Sequence, residues 1–502
     1  MIDIDSLLKA VAILCHLKMI GLIVVGMAYG MIMGAMPGIT ATLAIGIILG
    51  PTFFMEPVEA IVLLSAVYTG GIYAGGVTAI LLNIPGTPAS IATTFDGYAM
   101  ARQGKQNQAL GLGLGASAVA DMLSYLILLF FMVPLAKFVI KFGPPEMLMI
   151  VVCAFSIIGI VGGDLVKALA AGIFGLMIGT IGAGLIGVPR GTFGFPEMYE
   201  GIPVVPTLIG VFAIPELLFL IEKKTIVDNI ETMQADPKLV LKGFFEALSY
   251  KFKLIRSTVI GMLVGLLPAA GSAIAGIVSY AIEKQSSDNP EAYGKGEPKG
   301  VLVAEAANNG SEAGAMAIMM TFGIPGSSST AMILAAFIMH GLIPGPFLLR
   351  DSMDLVYAII MSDFISAVAL IFLGLLLIKY FGKTVMVPTN ILIPVIAFFA
   401  VLGTLSLRCL ILDPILILIF GVIGYFMRKA GYPLICLVLG VILGNRFEHE
   451  LIRIYRAYSG QWLSLFSRPI FDALIILTIL VLLYPVIRKN IKKFMSSRKK
   501  FA

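Results

Sequence analysis

Residues 60–95 read AIVLLSAVYTGGIYAGGVTAILLNIPGTPASIATTF, and these 36 residues contain no Asp, Glu, Lys or Arg. A helix that spans a bilayer needs about 20 apolar residues, so the stretch is too long for one crossing and too short for two. Its segment Asn83–Ser90 holds two prolines and a glycine, which interrupt a regular helix. Non-helical backbone inside a membrane is tolerated only where protein buries it or a polar cavity borders it. The sequence therefore predicts a broken helix at a functional position.

A second break of the same kind lies in the other half of the chain. Residues 313–349 again lack Asp, Glu, Lys and Arg, and they contain Gly323–Thr330, with the sequence GIPGSSST. The Ile-Pro-Gly core recurs 240 positions after the first, and the GxxxGxxP pattern of Gly30–Pro37 recurs 231 positions later at Gly261–Pro268. Two matched landmarks in the same order indicate an internal duplication. Paired Gly/Pro-interrupted spans point to a transporter binding site, and they favour inverted repeats.

Composition supports a membrane protein. The 502 residues are 59% hydrophobic and 13% charged, with a mean hydropathy of +1.00. No soluble globular domain has such a composition, so we expect an all-α polytopic membrane protein of two repeated halves, whose broken, re-entrant-like helices meet at a central site. The four cysteines stand singly among apolar residues, which indicates neither a disulfide framework nor a metal site.

Charge divides the chain into four parts. We expect a first transmembrane half at 1–221, a charged cytoplasmic connection at 222–256, a second half at 257–487 and a basic cytoplasmic tail at 488–502. The connection is expected to include an amphipathic helix near Leu239–Leu254. Glu283–Gly300 reads as a charged loop inserted between the two landmarks of the second half, which explains why their spacings differ by nine. The basic tail indicates topology and contact with lipid headgroups rather than nucleic-acid binding.

The remaining spans follow from apolar length. Besides Met19–Met55, which reads as two helical pieces, we expect spans near 110–136, 146–163, 165–188, 203–221, 257–282, 301–322, 328–349, 353–379, 388–407, 411–427, 432–444 and 469–487.

Signatures of enzymes are missing from the sequence. It contains no P-loop, no Gly-x-Ser-x-Gly and no cluster with metal-ligand spacing, and its three histidines are far apart. We therefore expect neither an enzyme nor an ATP-driven pump, and no cofactor other than a coupling ion such as Na⁺.

The two breaks carry the candidate chemistry. A helix that restarts after Gly86 or Gly326 points unpaired N–H groups into the break, and neighbouring hydroxyls add donors, so an anion can bind there without a fixed positive charge. The expected substrate-binding residues are Asn83, Gly86, Thr87, Ser90, Asn309, Gly326, Ser327, Ser328, Ser329 and Thr330. Carbonyls freed on the other side of each break can coordinate Na⁺, and the expected cation-binding residues are Thr40, Asn308 and Glu312. The alternative is a proline kink in a packing helix.

Several acidic residues lie in or near apolar segments. Asn309 and Glu312 are three apart and share a helix face, and ionisable groups inside a span are usually functional. Four single aspartates are candidate proton or cation sites, although each alone fits a helix end or a packing role better: Asp121, Asp164, Asp363 and Asp413.

These residues resemble the large membrane subunit of the tripartite tricarboxylate transporters, the TctA family. The resemblance covers essentially the whole chain and rests on Gly34–Thr40, Tyr73–Asp96, the Asp-Gly-Tyr and Arg-Gln-Gly-Lys pieces of 96–105, Glu305–Gly314 and Gly323–Thr330. The chain departs from the family at Ser327–Thr330, where a second proline is more usual, and at Pro268-Ala269, where its own first half has Pro-Gly.

The resemblance implies a permease of the inner membrane that works with a small membrane subunit and a periplasmic solute-binding protein. It also implies uptake of tricarboxylates or related organic carboxylates, coupled to Na⁺ or H⁺. Two other classes stay open, a membrane-embedded enzyme and a channel for small anions, which would require a catalytic constellation or charged rings along a pore.

Overall fold

The protein is built from helices. The structure, a computed structural model, describes residues 3–36, 39–161, 164–184, 188–222, 235–268, 271–381 and 389–480. These residues form no β-strand beyond an isolated bridge between Gly182 and Arg190, which confirms the predicted all-α class. Four of the described helices are long and apolar enough to cross a membrane: Leu17–Gly34, Pro57–Leu82, Gln106–Val139 and Met353–Leu377.

The helices up to residue 222 include the first break. They are α1 Ile4–Leu14, α2 Leu17–Gly34, α3 Ala41–Leu49, α4 Pro57–Leu82, α5 Ile91–Arg102, α6 Gln106–Val139, α7 Pro144–Val161, α8 Leu165–Gly179 and α9 Val204–Glu222.

The helices after residue 235 include the second break. They are α10 Pro237–Ser249, α11 Lys251–Gly265, α12 Gly271–Ser286, α13 Pro298–Phe322, α14 Ser328–Met339, α15 Pro346–Asp351, α16 Met353–Leu377, α17 Thr389–Arg408, α18 Leu412–Lys429, α19 Leu434–Tyr458 and α20 Pro469–Leu480.

Three expected helical segments are divided in the structure. The expected span 257–282 is split between α11 and α12, and the expected span 328–349 is α14 followed by the short α15. The amphipathic helix expected at Leu239–Leu254 is also wrong as one helix, because α10 ends at Ser249 and α11 begins at Lys251. Glycine and proline interrupt the two apolar runs, and Tyr250 lies at the turn between α10 and α11.

Two compact units make up the chain. The first comprises residues 1–137 and 205–426 and contains both breaks; the second comprises residues 138–204 and 427–502. In the first unit α4 is buried along nearly its whole length. In the second unit α8 packs closely on α19, where Gly175 and Gly440 leave no room for side chains between the two backbones. The predicted division into repeat halves is a separate matter and stays a prediction, and the tail at 488–502 lies outside the described residues.

Close packing recurs in the two helix pairs α2–α4 and α11–α13. A Cβ atom added to Gly30 would clash with the carbonyl oxygen of Val67, and one added to Gly261 would clash with that of Ala307. Val67 and Ala307 are 240 positions apart, which is also the distance between the two Ile-Pro-Gly motifs. Gly30 and Gly261 are 231 positions apart, which is the distance between the two GxxxGxxP patterns. The packing therefore follows the same spacings as the sequence motifs.

Candidate functional site

The first break folds back onto the helices before it. Helix α4 ends at Leu82, where Asn83 adopts the left-handed conformation with φ 56°, and the chain then turns. The amide of Gly86 donates to the carbonyl of Gly75 at 3.2 Å. A Cβ atom on Gly86 would lie 2.6 Å from the carbonyl oxygen of Gly34 and 2.7 Å from the α-carbon of Gly75. Only glycine fits this close approach of three backbone segments.

The second break has equivalent contacts. Helix α13 ends at Phe322, and Gly323 takes the left-handed conformation with φ 67°. A Cβ atom on Gly326 would lie 2.6 Å from the α-carbon of Ala315 and 2.7 Å from the carbonyl oxygen of Gly265. Gly265 follows Gly34 by 231 positions and Ala315 follows Gly75 by 240. The first break therefore packs against α2 and α4, and the second break packs in the same way against α11 and α13.

Hydroxyl groups line both breaks. Thr87 and Ser90 are buried, and their hydroxyl oxygens lie 3.3 Å apart. At the second break Ser327 caps α14 in a reciprocal pair with Thr330, whose hydroxyl lies 3.2 Å from that of Ser327. Ser328 is half-buried and has no side-chain hydrogen bond within the described part of the chain. Among the hydroxyls of the second break, that of Ser328 is therefore the one available to a ligand.

Each break also contacts the opposite half of the chain. The hydroxyl of Tyr68 on α4 lies 3.1 Å from that of Ser327, and the hydroxyl of Thr42 on α3 lies 3.0 Å from that of Ser329. In the other direction Thr93, on the helix that follows the first break, donates to the carboxylate of Glu305 on α13. Sequence reasoning missed Tyr68 and Thr42. The sequence offered one indication of their role: both are polar residues within runs that are otherwise almost wholly apolar.

Glu305 and Asn308 lie one turn apart on α13 and are fully buried. The carboxylate of Glu305 lies against Gly76, where a side chain would clash with it, and accepts a second bond from Ser117 at 3.4 Å. Neither amide atom of Asn308 makes a hydrogen bond of normal geometry, although Glu305 is beside it. Asn308 follows Tyr68, the tyrosine that contacts the second break, by the same 240 positions that separate the two Ile-Pro-Gly motifs.

Two residues predicted to bind ligands have local structural roles. Asn83 is exposed and ends α4 in the left-handed conformation, which asparagine tolerates better than most residues. Thr40 is half-buried and caps α3, where its hydroxyl accepts a bond from the amide of Leu43 at 3.2 Å. The expected role of Thr40 in cation binding has no further contact to support it.

Asn309 and Glu312 lie in a buried polar cluster. The amide nitrogen of Asn309 donates to Glu312 at 3.2 Å and to Asp121 on α6 at 2.9 Å. Thr69 on α4 donates to the other oxygen of Glu312 at 2.9 Å, and Ser65, one turn earlier, donates to Asp363 on α16 at 2.5 Å. The predicted shared helix face of Asn309 and Glu312 is confirmed. Asp121 and Asp363 lie in the same buried region.

The other two single aspartates are structural. Asp164 caps α8 through the amides of Val166 and Lys167, at 3.1 Å each. Asp413 forms an ion pair with Arg408. Both therefore match the helix-end or packing alternative that the sequence left open.

Asp96 holds a loop against α5. One of its carboxylate oxygens accepts the amides of Gly294, Gly296 and Glu297 at 2.8, 2.8 and 2.9 Å, and the other accepts the hydroxyl of Tyr280 at 2.8 Å. Asp96 is fully buried. The charged loop predicted at Glu283–Gly300 is thus held against α5, the helix that follows the first break.

Long apolar helices with paired polar breaks between them are the features of a multi-pass membrane protein. The chain belongs to the TctA family of tripartite tricarboxylate transporters, whose family model matches residues 20–439. The matched residues include both breaks and the acidic cluster.

Two relatives come from Agrobacterium vitis. An uncharacterized 52.8 kDa protein in the TAR-I ttuC' 3' region is 33% identical over 474 residues, which is 93% of each chain. An uncharacterized protein in the TAR-II ttuC' 3' region is 33% identical over 233 residues, which is 46% of this chain and 96% of that protein. No solved structure matches the chain.

Proposed function

We propose that the chain is the permease subunit of a secondary-active importer that takes up tricarboxylates or related organic carboxylates with a coupling cation. The observation that carries this proposal is the pair of equivalently seated breaks, each with buried hydroxyls and each followed by the beginning of a helix. Membership of a tripartite tricarboxylate transporter family supports the same substrate class.

Neutral donors suit a carboxylate substrate that must also be released. No Lys or Arg occurs in residues 60–95 or 313–349, so attraction at the breaks depends on backbone amides at the starts of α5 and α14 and on hydroxyls. Thr87 and Ser328 are the donors we assign to the substrate, one from each break. The buried amide of Asn308 is a further unsatisfied group for it. A molecule with several carboxylates can engage both breaks at once.

A coupling cation provides the driving force in this proposal. A tricarboxylate carries negative charge into the membrane, and symport with Na⁺ or H⁺ offsets that charge and supplies energy. Of the cation-binding residues expected from the sequence, Glu312 is supported by side-chain contacts. The hydroxyl of Thr40 instead caps α3.

Partners and topology complete the proposal. We infer a small membrane subunit and a periplasmic solute-binding protein, with the permease in the inner membrane, as the family's tripartite nature suggests. We also propose inverted halves, with the connection at 222–256 and the tail at 488–502 on the cytoplasmic side.

Uptake into proteoliposomes tests the function. The chain is reconstituted with its small subunit, the cognate binding protein and labelled citrate are added outside, and a Na⁺ or pH gradient is imposed. We expect accumulation above the outside concentration that collapses when an ionophore dissipates the gradient. Equilibration without accumulation would instead indicate a channel, and chemical conversion of the label would indicate an enzyme.

A further inference from the structure

Three carboxylates from three helices meet in one buried region of the first compact unit. Asp121 on α6, Glu312 on α13 and Asp363 on α16 are each fully buried. The amide nitrogen of Asn309 bonds both Asp121 and Glu312, and it thereby joins two acidic side chains through one neutral donor. Asp363 lies close enough to interact electrostatically with both of these carboxylates.

The donors around this cluster are neutral. Thr69 bonds Glu312 and Ser65 bonds Asp363, and in the described part of the chain no Lys, Arg or His forms an ion pair with any of the three acids. Moving a single ionised carboxylate out of water carries a large free-energy penalty even after the protein relaxes. Three ionised acids beside each other would add mutual repulsion to that penalty. Because one monovalent ion offsets only one of three negative charges, the cluster takes its neutralising positive charge from outside the chain as protons, a bound cation or both.

Bare oxygen atoms show where such a charge fits. The second carboxylate oxygens of Asp121 and Asp363 are buried without a hydrogen bond of normal geometry, and so is the amide oxygen of Asn309, although the hydroxyl of Tyr125 is beside Asp363. Buried acceptors without partners are rare, because each loses its hydration with no compensation. Oxygen atoms of carboxylates, amides and hydroxyls are the ligands that hard cations prefer.

We propose that Asp121 and Glu312, joined by Asn309 and with Asp363 beside them, hold the coupling cation, a monovalent species that is either Na⁺ or H⁺. The inference rests on the proposed function and gives its coupling step a location. Among the described residues no three His, Cys, Asp or Glu side chains are arranged to hold a metal ion together. The cluster therefore suits one unit charge shared by two acids and neutral oxygens rather than a multidentate centre for a divalent metal.

Tyr68 connects this site to the second break. Its hydroxyl contacts Ser327, and the next residue along α4, Thr69, holds Glu312. Tyr68 also lies within electrostatic range of all three acids. Neutralising the cluster removes repulsion among the acids next to Thr69, and through α4 this links cation binding to the contact between Tyr68 and Ser327.

Neutral variants separate coupling from transport. Asp121→Asn and Glu312→Gln keep the shape of the neutralised acids, so each is expected to retain exchange of labelled for unlabelled carboxylate at equal cation concentrations. Each should lose gradient-driven accumulation by roughly tenfold or more, within the usual range of coupling between two ligands. Ser311→Ala is the matched control, because its hydroxyl bonds only the carbonyl of Asn308 on the same helix and should leave both activities intact.

The ion is identified by driving the wild type with a Na⁺ gradient at equal pH and, separately, with a pH gradient without Na⁺. Thermal unfolding gives an independent reading: the coupling ion should raise the melting temperature of the wild type and not that of Glu312→Gln. Variants that accumulate carboxylate as the wild type does, or a wild type stabilised by neither ion, would overturn the inference. A wild type that transports no carboxylate in either mode would instead refute the proposed function.

Discussion

Replacing Gly86 with alanine is expected to lower carboxylate uptake by about tenfold or more, since a shift of about 1 Å at a functional site is enough for such losses. The added methyl carbon would lie 2.6 Å from the carbonyl oxygen of Gly34 and 2.7 Å from the α-carbon of Gly75. Both neighbours are backbone, so the break itself must move. Overpacking of this kind typically destabilises by about 1–3 kcal/mol, which leaves a folded protein with a displaced site.

The equivalent change at the other break should act in the same way. Gly326→Ala places its methyl carbon 2.6 Å from the α-carbon of Ala315 and 2.7 Å from the carbonyl oxygen of Gly265. Gly21→Ala on α2 is the control, because a Cβ atom there meets nothing within 4 Å. Initial uptake rates are compared at equal amounts of protein in the membrane. Wild-type uptake by Gly86→Ala would show that the tight seating of the first break is unimportant.

Removing the carboxylate of Asp96 is expected to release the loop that it holds. Asp96→Ala leaves the amides of Gly294, Gly296 and Glu297 without their acceptor, and hydrogen bonds to a charged group are each worth about 1.5–3 kcal/mol. Lys295 lies in this loop and is exposed, so trypsin should cut after it about tenfold faster or more once the loop opens. The measurement is the rate of appearance of the two fragments from folded protein.

Two further variants make the test specific. Asp96→Asn keeps one acceptor oxygen for the three amides and should give an intermediate cleavage rate. Asp288→Ala removes an exposed acid nearby and should leave the rate unchanged. If Asp96→Ala is cut no faster than the wild type, the loop is held by other contacts, such as the bond of 2.7 Å from Gln103 to the carbonyl of Lys295.

Local sequence patterns were sufficient for the all-α class and for both breaks. Proline and glycine act on the backbone of their own turn, so Asn83–Ser90 and Gly323–Thr330 could be located without tertiary information. Apolar length is a weaker guide to continuity. The segment 257–282 reads as one span but is divided into α11 and α12, because hydropathy does not register a turn between apolar residues.

Side-chain roles could be predicted only in part. Asp121, Asp164, Asp363 and Asp413 look alike in sequence, yet two cap or pair locally and two join Glu312. What separates them is contact between helices that lie far apart along the chain, which a single sequence does not contain.

Polar residues near a break were also ambiguous in the sequence. A threonine or serine beside a helix start serves equally well as a cap or as a ligand donor. The structure assigns Thr40 and Ser327 to caps and leaves Ser328 free within the described residues.

A double-mutant cycle decides whether the two breaks form one carboxylate site. Thr87→Ala and Ser328→Ala each remove one donor, and the loss of a hydrogen bond to a charged group is worth about 1.5–3 kcal/mol, or roughly ten- to a hundredfold in affinity.

The half-saturating carboxylate concentration is measured for the wild type, both single variants and the double variant at matched expression. We expect each single change to raise this concentration and the double change to depart from the product of the two effects, because both groups touch one ligand. Clean multiplication of the two effects, or no effect of either change, would contradict this expectation.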